Sequence, residues 1–204
     1  MNELRLNGIK LEKDRKTLFG EFIRSLNKDL SKNSQVVSII RINGEAIDES
    51  KENEFSMLSL EQIGKIEITT SDQIELAFDA LQSAKLYIKK LIKHCKNTGS
   101  LYKEQKHKEA DIQFIDLVDG LHNLVNLILS AQSVLRGKTK GIHLNDSSLR
   151  IAQVRLLSAI EELLPAKKKN DAVLLADILC IELPESLQEM ADFGIPVMQR
   201  MRTS

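Results

Sequence analysis

Hydrophobic and polar positions alternate along this chain at two different periods, and the change falls at Asp72. Before it, Leu4 and Leu6 alternate with Glu3 and Arg5, Asn7-Gly8 intervenes, and Ile9 and Leu11 alternate with Lys10 and Glu12. Period two marks strands, and Asn-Gly suits a type I′ turn because both central residues need positive φ, so the pattern predicts a hairpin with Leu6 opposite Ile9 and Leu4 opposite Leu11. Leu18, Phe19, Phe22, Ile23, Leu26 and Leu30 then recur at helical spacing, with Thr17 as the expected N-cap. Val36 to Ile42 is β-branched and nearly continuous, as an inner strand is, and Asn43-Gly44 turns it into a short partner around Ala46 and Ile47. A polar loop is expected from Asp48 to Glu54, a capping box at Ser59-Leu60-Glu61-Gln62, and a last strand around Ile66 and Ile68.

After Asp72 the period becomes helical. Ile74, Leu81, Ile88 and Cys95 are seven apart, with Ala77, Ala84 and Leu91 between them, and Ser71 or Asp72 supplies the cap. The same register runs through Phe114, Leu121, Ile128 and Leu135 with Leu117, Leu124 and Ala131; Val118 and Val125 widen that stripe, so this second helix is expected to lie deepest. A third helix uses Leu149, Ala152, Leu156, Ile160 and Leu163, starts from Asn145 or Asp146, and is expected to stop at Pro165. A fourth, Asp171 to Leu183, is dense enough in Val173, Leu174, Leu175, Ile178, Leu179 and Ile181 to predict burial on most sides, with a break at Pro184. Leu187, Met190, Gly194, Val197 and Met201 carry an apolar stripe on through Pro196. Polar connectors fall near Lys96–Glu109, Gly137–His143 and Pro165–Asn170. The predicted class is α+β: an N-terminal domain at residues 1–71, then at 72–204 an all-α up-down bundle of four helices with a broken C-terminal helix.

The order hairpin, helix, strand pair, short helical turn, last strand, with its two Asn-Gly turns, resembles the ubiquitin-like β-grasp fold over residues 1–70. Modifiers and sulfur carriers of that family end in a free Gly-Gly whose carboxylate is activated. Here Thr69-Thr70-Ser71-Asp72 leads directly into a helix. The resemblance therefore implies a docking or assembly module instead of a conjugated one.

Charge narrows the partners. Lysine plus arginine and aspartate plus glutamate are equal at 29 each in 204 residues, so no global field draws in nucleic acid or an anionic surface. The strongest local charge is Lys85, Lys89, Lys90, Lys93 and Lys96, followed by Lys103, Lys106 and Lys108, with Tyr87 and Tyr102 nearby. A polyanion groove wants such lysines with stacking aromatics, but aromatics are 4% overall and a solvated helix face accounts for the pattern, so nucleic acid is not the expected partner. Cys95 and Cys180 are too few for a disulfide framework and read as reduced thiols. The opening residues lack a basic segment followed by an apolar run, and the longest apolar stretch, Ala172 to Ala176, is far short of the ~20 residues of a span. A cytoplasmic protein without membrane insertion is the expectation.

Chemistry is sparse. Asp116, Asp119 and His122 are three apart and predict a shared helix side, where carboxylates and an imidazole suit a metal. Di-iron bundles need Glu-x-x-His on two helices plus two more glutamates, and the one tetrad here, Glu104 to His107, sits in a lysine-rich connector. His94 beside Cys95 points about 100° away on a helix, which works against a thiol and its base. Gly137 to Gly141 lacks the Gly-Lys-Ser/Thr ending of a phosphate loop. No catalytic residue, cofactor or metal is therefore expected. The residues favoured for partner contact are Phe193, Ile195, Val197, Met198 and Met201, an apolar run that either covers the bundle's own core or meets another protein. Asn170 to Pro184 resembles stretches of small bacterial proteins in motility or secretion gene sets, and the bundle is similar to their helical chaperones at the level of an amphipathic stack. The expected function is a non-catalytic protein-binding adaptor, chaperone or assembly protein of such a system, with homo-oligomers through the heptad faces among its forms. The alternatives are a metal-dependent bundle enzyme or a lysine-patch binder of a polyanion.

Overall fold

Two Asn-Gly turns organise the first of the two units into which the chain divides, Met1–Leu76 and Ala77–Ser204. The computed structural model describes residues 3–138 and 147–200. Strands β1 (Glu3–Leu6) and β2 (Ile9–Lys10) pair antiparallel with Leu6 opposite Ile9, and Asn7 and Gly8 between them hold φ of 49° and 81°, as a type I′ turn requires. Helix α1 (Phe19–Ser31) follows, then β3 (Gln35–Ile42) and β4 (Glu45–Ile47), joined through Asn43 and Gly44 at φ of 53° and 90°. The last strand, β5 (Lys65–Asp72), lies between β1 and β3, parallel to the first and antiparallel to the second, in the order β2-β1-β5-β3-β4. Both turn asparagines grip it. Asn7 accepts from the Thr70 N–H at 2.9 Å and donates to the Thr70 hydroxyl at 2.8 Å, while Asn43 accepts from the Lys65 N–H at 2.9 Å.

Phe19, Phe22 and Ile23 of α1 join Leu4, Ile40, Ile42, Ile66 and Ile68 of the sheet in one buried cluster, completed by Leu60 and Ile63. The result is a mixed five-stranded sheet with helices, compatible with a β-grasp-like segment. Two local expectations change. Thr17 is not the cap of α1; Leu18 stands there, and the first N–H groups of Phe19 and Gly20 donate to the backbone oxygens of Leu58 and Ser56 at 2.9 and 3.0 Å. The polar stretch after Asp48 is a helix, α2 (Glu49–Phe55), because the Asp48 carboxylate accepts from the Lys51 N–H at 2.9 Å and starts it. Ser59 and Gln62 form the capping box their spacing predicts, at the start of α3 (Leu60–Ile63).

The second unit is helical. Asp72 caps α4 (Gln73–Lys103), its Oδ1 accepting from the N–H groups of Ile74 and Glu75 at 2.7 and 3.2 Å. A three-residue link leads to α5 (His107–Lys138), which runs back along α4: Tyr102 donates to Asp111 at 2.7 Å, and Gly120 lies against Tyr87 and Leu91. Sequence spacing places a broad connector at Lys96–Glu109, but Thr98 and Gly99 are buried helix positions and α4 continues to Lys103. Helix α6 (Ser147–Lys168) passes through Pro165 instead of stopping there; the ring is exposed, and the helix forgoes one N–H donor before ending.

The C-terminal stretch also continues through its prolines. Helix α7 (Ala172–Asp177), capped by Asp171, leads into a π-turn at Ile178–Glu182, then α8 (Leu183–Glu189), a second π-turn at Met190–Gly194, and α9 (Ile195–Arg200). The Leu183 N–H reaches the Ile178 oxygen and the Ile195 N–H reaches the Met190 oxygen, in each case immediately before a proline. These five-residue bonds widen the turn where the pyrrolidine ring would otherwise meet a carbonyl. The stretch packs chiefly on α6 and is tied to it by Arg155 and Glu189 at 3.0 Å.

Candidate partner-binding groove

Helix α5 is apolar on two faces. One carries Leu117, Leu121, Leu124, Ile128 and Leu135 into the core of the unit. The other presents Ile115, Val118, Val125 and Leu129, of which Ile115 is 63% and Leu129 53% exposed. Helix α6 repeats the arrangement: Leu149, Leu156 and Leu163 are buried, while Val154, Leu157 and Leu164 are 61%, 46% and 57% exposed. Seven-residue spacings set both outer stripes, as in Val118 and Val125 or Leu157 and Leu164. The expectation that α5 lies deepest is thus corrected. Its core needs only the a and d positions, and Val118, which seemed to widen the buried stripe, belongs to the outer one. A similar correction applies to Val173, Leu174 and Ile181, which are exposed along the C-terminal stretch.

The two outer stripes border one groove. Gln153 donates to Gln132 at 3.0 Å toward one end, and Lys167 meets Asp111 at the other, so α5 and α6 run antiparallel. Between these links lie two adjoining cavities that share Val125 and Leu157, one of about 520 Å³ that includes Phe114, Val118 and Leu164, and one of about 150 Å³ that includes Leu129 and Met190. Gln153 donates to Gln132, and His122 exchanges a hydrogen bond with Asn126 at 2.9 Å. An apolar surface entering the groove therefore strips water mainly from hydrocarbon, which is the favourable case. The same excess of apolar residues makes His107–Arg136 long and apolar enough, by length and composition, to cross a membrane, with mean hydropathy 1.3 and a third of the window buried. A search for uninterrupted apolar runs passes over it because polar residues break the stripe at every turn.

Below the groove sits a polar knot. The Tyr102 hydroxyl donates to Asp111, and the Lys167 ammonium donates to Asp111 and, at 3.2 Å, to Tyr102 while lying 5.4 and 5.7 Å above the rings of Tyr102 and Phe114. Lys167 holds the Asp111 carboxyl below its ordinary range, and burial pushes the Tyr102 phenol up. Burial opposes the Lys167 charge, but hydrogen bonds to Asp111 and Tyr102 outweigh it and leave that pKa raised. The three side chains are committed to one another, joining α4, α5 and α6.

The residues favoured from sequence separate. Ile195 and Met198 are fully buried within the second unit, Val197 is half-buried, and Phe193 is 57% exposed; Met201 lies outside the described residues. Asp116, Asp119 and His122 stay exposed on α5, and among the described residues no three histidine, cysteine or acidic groups are gathered to hold an ion. Cys95 is buried and its thiol is pushed up to about 12 by burial, far from nucleophilic at neutral pH. Lys89, Lys90, Lys93 and Lys96 are exposed along α4. The glycine-rich segment considered as a phosphate loop runs beyond the described residues. The groove itself is what sequence reasoning missed. Its signal was present in a second set of seven-residue spacings, Val118/Val125 and Leu157/Leu164, beside the core set.

Comparison with known families divides the chain much as its units do. Residues 3–72 match the model of the TP0873 N-terminal domain, and residues 79–193, more than half of the chain, match the model described as Domain of unknown function (DUF8042). No curated protein and no solved structure matches. The chain belongs to the DUF8042 family.

Proposed function

We propose that this member of the DUF8042 family is a non-catalytic protein-binding adaptor or assembly protein whose docking site is the groove between α5 and α6. The observation that carries the reading is the second apolar face on both helices, with Leu129 and Leu164 each more than half exposed along a groove whose glutamines hydrogen-bond to one another. A helix laid in such a groove buries an i, i+3, i+4 row of side chains, the usual way helical surfaces recognise partners. The chemistry elsewhere favours contact over catalysis: the Cys95 thiol is buried and protonated, and Tyr102, Asp111 and Lys167 neutralise one another. The head is proposed as a ubiquitin-like β-grasp module serving assembly, supported by the order β2-β1-β5-β3-β4 and by β5 leading into α4 at Asp72 without a free glycine tail. The cytoplasm is the proposed setting, and a motility or secretion assembly is proposed on the resemblance of Asn170 to Pro184.

The test is a photo-crosslinking amino acid placed at Leu157 in the full chain inside its host. A discrete protein adduct at Leu157, with none from the same group at exposed Lys89 on α4, is the expected result. Equal, diffuse labelling at both sites overturns the groove as a docking surface.

A further inference from the structure

We draw no further inference here: the strongest candidate, the apolar groove between α5 and α6 lined by Val118, Val125, Leu157 and Leu164, belongs to the site already described, and nothing in the structure shows what covers it.

Discussion

The head and the helical unit use their apolar residues differently. In the head, the apolar side chains of α1 and one face of the sheet are gathered into a single cluster, and the large hydrophobics left outside are few: Ile9 on β2, Ile39 on β3, and Met57 and Leu58 in the link between α2 and α3. In the helical unit, Ile115, Val118 and Leu129 on α5 and Val154, Leu157 and Leu164 on α6 stay outside together, in rows. Scattered apolar surface is normal for a folded chain, whereas rows on adjoining helices form a patch. The difference follows from geometry. A strand offers only alternate residues to a core, so polar residues fill the other side. A helix has a wide circumference, and a chain can place a second stripe on it without disturbing the first.

The contrast breaks most readily at Phe19, which is fully buried at the centre of the head. Phe19→Ala should cost about 3–5 kcal/mol and unfold the head, measured as loss of hydrogen-exchange protection across β3 and β5. If protection in α4 and α5 falls equally, the two units are not separate in stability. A smaller effect is expected in the helical unit from Gly99→Ala, where the new Cβ would come 2.5 Å from Cys180 Sγ and 3.1 Å from Leu179 Cβ. Overpacking of this kind costs about 1–3 kcal/mol and should appear as a lower denaturation midpoint of the helical signal alone. The smallest is Asp111→Asn, about 1 kcal/mol for a partly exposed charged hydrogen bond. Its pH dependence has a definite sign. The folded Asp111 carboxyl titrates below its ordinary range, so its stabilisation is present above the unfolded carboxylate pKa and is lost as pH falls through the depressed folded value. The gap in denaturation midpoint between the wild type and Asp111→Asn should accordingly be constant near neutrality and close in acid.

Much of this architecture was legible in the chain. The positive-φ turns at Asn7-Gly8 and Asn43-Gly44 fixed both hairpins, and the heptads through Leu81, Ile88 and Leu91 and through Leu121, Leu124 and Ile128 marked the buried faces, because each signal depends on neighbours within a few residues. The grip of both asparagines on β5 was not legible, since it joins residues 63 positions apart in the case of Asn7 and Thr70. The groove needed a different kind of knowledge. Periodicity says that Leu157 lies on a stripe but not whether anything in the same chain covers it, and the residues favoured from sequence for contact, Ile195 and Met198, proved to be covered. Prolines misled for a related reason: Pro165 and Pro184 each lack an N–H donor, but whether a helix ends there depends on what the next turn packs against.

The widened turns before Pro184 and Pro196 also act as phase correctors. Leu179, Leu183 and Leu187, then Met190, Gly194 and Met198, are buried at intervals of mostly four. On an ideal helix such a row drifts by about 40° per step and would wind away from α6 within the length of the stretch. Each extra residue held in a wide turn sets the row back toward its starting direction, so the C-terminal third of the helical unit keeps one side inward through two prolines. Residue number there encodes direction as well as length. Loss of a single residue from a wide turn would let it close to an ordinary turn with the downstream side chains kept in direction, whereas loss of one from α8, between the two, would swing everything after it by about 100°.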